Sequence, residues 1–68
     1  MAREVTIGGR RFFIVSEPRE PGWTAQVLEV VDDQGATLDT GIMTSGETRT
    51  IADDRALGLL QQRLRNAG

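Results

Sequence analysis

Apolar and polar residues alternate over the first two thirds of the chain and then switch to a helical spacing, and this change of period defines the predicted elements. Glu4 to Ile7 alternates and leads through Gly8-Gly9 into Arg10-Arg11-Phe12-Phe13-Ile14-Val15. Two glycines between β-prone runs signal a two-residue hairpin, because both central positions accept positive φ without steric cost. Glu17-Pro18-Arg19-Glu20-Pro21-Gly22 holds both prolines and cannot continue a central strand, so it reads as an exposed connection. Trp23 to Val31 alternates again, and Asp32-Asp33-Gln34-Gly35 predicts a tight turn into Ala36 to Ser45. In that last strand Leu38 and Ile42 share one face, with Gly41 and Met43 opposite.

From Thr50 to Asn66 the spacing is that of one amphipathic helix. Ala52, Ala56, Leu57, Leu59, Leu60, Leu64 and Ala67 fall on one side, and Asp54, Gly58, Gln61 and Arg65 on the other. Thr50 with Asp53 three residues later predicts a capping-box-like start. Asp53 and Asp54 are expected to complement the positive helix end, Arg63 and Arg65 the negative end, and Gly68 is expected to terminate or fray it. The predicted fold is α+β: a three- to four-stranded antiparallel meander with one C-terminal helix packed on one face, in a single domain from Met1 to Gly68.

Both strand faces carry apolar residues. Phe12 and Phe13 are adjacent in a strand and must point to opposite faces. Leu28 and Val30 are expected to face the helix and Trp23, Ala25 and Val27 the second face, although alternation alone leaves the reverse open. One helix covers one face, so the second face forms the candidate interface, with Phe12, Trp23, Ala25, Val27 and Met43 as its expected residues. Sixty-eight residues bury only a marginal core. With no Cys and no His, disulfides and soft-metal sites are unavailable as stabilisers. Oligomerisation remains, and a homodimer is expected.

Eight Arg stand against ten Asp and Glu, with no Lys, for a formal charge of −2. Affinity built on phosphate neutralisation calls for a basic chain or stripe, so nucleic-acid binding is disfavoured. The alternative reading kept open is a small single-stranded nucleic-acid module using Arg10, Arg11, Phe12 and Trp23 as charge and stacking groups. Ser16, Ser45 and the threonines supply hydroxyls, but no His, Cys or Lys activates them, so no catalytic residue is expected. The acidic residues Asp32, Asp33, Asp39, Glu47, Asp53 and Asp54 do not match a calcium-loop pattern, and neither metal nor cofactor is expected. No apolar run approaches the ~20 residues that span a bilayer. The N-terminus enters a strand pattern directly, and the expectation is a cytoplasmic protein without membrane contact.

The segment Thr44-Ser-Gly-Glu-Thr-Arg-Thr-Ile-Ala-Asp-Asp-Arg-Ala56 resembles the Thr-x-Gly-Asp/Glu-Thr loop and Ala-x-x-x-Ala helix of the HicB-like antitoxin superfamily. Gly22-Trp23-Thr24-Ala25 is similar to that family's Gly-aromatic-x-Ala strand start. Two features depart from the pattern. Thr50-Ile51 stands where the family usually has two acidic residues, and Asp32 to Gly35 replaces a Pro-Gly-containing connection. The resemblance implies a partial RNase H-like sheet with one packed helix, and a role in binding a small RNA-cleaving toxin. Family members often carry a separate DNA-binding segment, which is not expected in a chain ending at Gly68.

Overall fold

The computed structural model describes residues 2–67. Its elements are β1 (Ala2–Ile7), β2 (Arg10–Pro18), β3 (Trp23–Val30), β4 (Thr37–Gly46) and α1 (Arg49–Ala67). The strands pair antiparallel in the order β1-β2-β3-β4, and α1 packs across β2, β3 and β4 on one face. This is the α+β meander with one helix that the periodicity predicts, and β4 is present as a full strand. Glu17 and Pro18, expected in the connection, instead extend β2 and pair with Thr24 and Trp23. The β1 pairing ends at Val15, so the proline lacks a strand on its other side. No helix is long and apolar enough to cross a membrane among the described residues.

The turns form where the local chemistry demands. Gly8 and Gly9 both take positive φ (57° and 80°), as a tight two-residue hairpin requires, and Ile7 pairs with Arg10 across it. In the β3–β4 connection, Asp32 Oδ1 accepts hydrogen bonds from the Gln34 and Ala36 N–H groups, and the Val31 N–H bonds the Ala36 carbonyl. The β3–β4 ladder is irregular: Gln26 pairs with Met43 and Leu28 with Asp39, so Thr40, Gly41 and Ile42 together stand opposite Val27. Thr40 Oγ1 donates to the Val27 carbonyl at 2.7 Å, and the Gly41 N–H bonds Asp39 Oδ1 at 2.8 Å, so the bulge is internally satisfied.

The core reverses the expected face assignment. Phe12, Ile14, Ala25, Val27 and Ile42 lie beneath the helix and meet Ala52, Ala56 and Leu60 of α1, all of them nearly inaccessible to solvent. Antiparallel register explains why these residues share a side: Ile14 stands opposite Val27, and Ser16 opposite Ala25, so even positions of β2 and odd positions of β3 point together. Leu28 and Val30 therefore face away from the helix. The buried stripe of α1 is also narrower than predicted. Ala52, Ala56 and Leu60 repeat every four residues, with Leu57 and Leu64 packed at the margin, whereas Leu59 is 46% exposed and Ala67 is exposed.

The helix start differs too. Thr48 is the cap: its Oγ1 accepts from the Ile51 N–H at 3.2 Å and its carbonyl from the Ala52 N–H at 3.1 Å. Thr48 outcompetes Thr50 because α1 begins at Arg49, one residue before the predicted start. Asp53 and Asp54 consequently fall outside the first turn, which contains no acidic residue. Asp53 instead turns into the protein at 8% exposure, with Oδ1 unpartnered. At the other end Arg65 occupies the last turn as expected, whereas the terminator expected at Gly68 lies outside the described residues.

Two glycines seat the helix on the sheet. A Cβ on Gly46 would lie 2.7 Å from Ile51 Cγ2 and 2.8 Å from the Ala52 nitrogen, and one on Gly22, which holds φ +87°, would lie 2.6 Å from the Gly46 carbonyl oxygen. The β2–β3 loop, the end of β4 and the start of α1 thus meet with no room for a methyl group.

Moving the cap from Thr50 to Thr48 has a direct test. Thr48→Ala is expected to lower unfolding stability by about 1 kcal/mol in chemical denaturation. Thr50→Ala, at an exposed helical position, is expected to change it by less than roughly 0.5 kcal/mol. Equal losses in the two variants would contradict the assignment.

Candidate functional site

The sheet face opposite α1 has no element over it among the described residues, and its composition follows from register. One row across the strands runs Glu4, Phe13, Leu28, Asp39, and the next runs Ala2, Val15, Gln26, Met43. Phe13 and Leu28 are direct cross-strand partners at the centre, and Val15, Val30 and Met43 extend the apolar area around them. Phe13, Val15, Leu28 and Val30 are half-buried by their neighbours within the sheet, while Met43 is 65% exposed. Each of the two rows places polar or charged residues beside the apolar ones. Arg11 donates two hydrogen bonds to Glu4 Oε2, at 2.8 and 2.6 Å, closing the β1 margin with an ion pair.

Of the five residues expected at the interface, only Met43 lies on this open face. Phe12, Ala25 and Val27 are sealed beneath the helix, and Trp23, half-buried, packs against the core from the helix side. The physical reason is the parity of the register. Once Ile14 pairs with Val27, the whole odd set of β3 turns inward together with Phe12, and Phe13 becomes the outward aromatic. The residues missed by sequence reasoning are Phe13, Val15, Leu28 and Val30. Their signal was the interleaving of apolar with charged positions, namely Glu4, Arg11, Glu17 and Asp39, which emerges only when the strands are aligned.

The stacking and charge set Arg10, Arg11, Phe12 and Trp23 is not assembled. Phe12 is 1% exposed and offers no ring face to a base. Arg10 lies on the helix side, with its guanidinium carbon 5.4 Å from the Phe12 ring centroid, and Arg11 lies on the opposite face. Both guanidiniums are committed to carboxylates, Arg10 to Glu29 through Nε (2.9 Å) and Nη2 (2.8 Å) and Arg11 to Glu4. Hydrogen bonding from Arg10, aided by its charge and opposed by desolvation, holds the Glu29 carboxyl below the usual carboxylate range. The same pairing raises the Arg10 guanidinium. Among the described residues no cluster of three or more His, Cys, Asp or Glu side chains could hold a metal ion.

No family model, curated protein or solved structure matches the chain.

The Arg10–Glu29 pair carries a pH signature. Because the folded-state value of Glu29 is depressed, its contribution to stability is present above the unfolded carboxyl range and fades as pH falls through the folded value. In an NMR titration the Glu29 side-chain carboxyl is expected to have its midpoint below that of an ordinary glutamate, and Arg10→Ala to move it back upward. An unchanged midpoint in the variant would remove Arg10 as the cause.

Proposed function

We propose that this chain is a non-enzymatic interaction domain that associates with a second copy of itself through the helix-free sheet face. The observation that carries the reading is the apolar centre formed by Phe13, Val15, Leu28, Val30 and Met43 on a face with no covering element among the described residues. The two longer dimensions of the molecule, 34 and 27 Å, bound a face of the order of the ~800 Å² that a stable interface buries on each partner. Two such faces can stack about 10 Å apart, as sheets do in sandwiches, with the polar margins remaining wet. A contact of this kind between identical chains is isologous and closes as a dimer. It is favoured over a nucleic-acid module because Arg10 and Arg11 are held by carboxylates and Phe12 is buried. The motif resemblance at Thr44 to Ala56 adds weight to a protein-binding role and makes a small protein partner the competing occupant of the same face.

Sedimentation equilibrium at micromolar concentration tests this. The parent chain is expected to be dimeric, and Leu28→Asp, which places a charge at the centre of the face, to weaken the dimer roughly tenfold or more. A parent chain that stays monomeric at tens of micromolar would overturn self-association and leave the face to another protein.

A further inference from the structure

The sheet has two edges, and they are defended differently. β1 carries Arg3 and Glu4 within its six residues, charges of the kind that discourage strand addition. β4 is ten residues long with one charge, Asp39. It runs beside a groove of about 570 Å³ in which Met43 and Leu59 are exposed. A long edge with little charge and flanking apolar side chains is a template for pairing with another chain. Two guanidiniums from α1 reach this edge. Arg55 Nη1 donates to the Ser45 carbonyl at 2.8 Å, and Arg63 Nη1 donates to the Thr40 carbonyl. Each occupies an acceptor on the edge strand with a charged donor, which bonds more strongly than the neutral N–H of an incoming strand.

We propose that Arg55 and Arg63 are edge guards that close β4 against antiparallel pairing with the β4 strand of a second copy. The second copy is the occupant because β4 is an edge strand, and a twofold axis beside it would set two such edges together in the antiparallel sense used throughout this sheet. The segment Ile42 to Gly46 is uncharged, so two such segments meet without like-charge opposition. If the preceding reading of the open face holds, the guards also confine self-association to that face. The edge proposal itself does not depend on it.

Sedimentation velocity on the full chain tests the guards by comparing the parent, Arg55→Ala/Arg63→Ala, and the same double variant with Ser45→Pro added. Within a strand the N–H and carbonyl of one residue point to the same side, so the Ser45 N–H lies on the edge that Arg55 occupies, and proline there removes a donor that an added strand needs. The double variant is expected to rise roughly twofold or more in apparent mass over the parent, and Ser45→Pro to cancel the rise. A double variant with the parent's mass at every concentration overturns the proposal, as does a rise that Ser45→Pro leaves intact. Far-UV circular dichroism checks that the variants fold. Should the double variant unfold, Arg55→Ala and Arg63→Ala taken singly carry the same comparison. A monomeric parent refutes the open-face dimer, whereas the difference between parent and double variant decides the edge in either case.

Discussion

A single helix of 19 residues can shield only one face of a four-stranded sheet, and the rest of the structure follows from which face it shields. Beneath α1 the sheet presents Phe12, Ile14, Val27 and Ile42, and the helix answers with two alanines and a leucine at four-residue spacing. The alanines fall in the first half of the helix, where Gly46 and the end of β4 come close. Leu60 fills the space farther along. The uncovered face is built to a different rule. Its apolar side chains are separated by Glu4, Arg11, Gln26 and Asp39, so much of their surface is shielded by strand neighbours without any second layer. Packing holds one side together, and lateral contacts within the sheet make the other side tolerable in water.

Much of this was legible in the residues. Gly8-Gly9 demanded a hairpin, Asp32 to Gly35 a turn, and the leucines and alanines after Thr50 a helix, because each depends on local stereochemistry or on one short period. What failed is nonlocal. Alternation in β3 says that Ala25 and Val27 oppose Leu28 and Val30, but it cannot say which set the helix meets, since that depends on how β2 and β3 align. The Phe12 and Phe13 pair shows the same limit: opposite faces were certain and the choice between them was not. The cap was misplaced by two residues because Thr48 and Thr50 are the same residue type and differ only in where the β4–α1 connection ends.

The arginines share one pattern. Arg10 and Arg11 hold carboxylates on opposite faces of the sheet, while Arg55 and Arg63 hold backbone carbonyls of β4. Each partner lies on a different element from its arginine, and the planar fork of the guanidinium suits all of them. A chain with no lysine thus spends much of its cationic chemistry on its own fold, and its acidic net charge belongs to a surface where several positive groups are already engaged.

The meeting of Gly22 with Gly46 has a consequence for how such a chain can diverge. A side chain at Gly22 would press on the Gly46 carbonyl, and one at Gly46 would press on Ile51 and the Ala52 nitrogen, so a change at either is accepted only if the loop or the helix start shifts with it. The two positions are twenty-four residues apart in the chain yet belong to one steric unit. Bulk added at either glycine therefore acts at a distance along the chain, by pushing the start of the helix away from the end of β4 and the loop before β3.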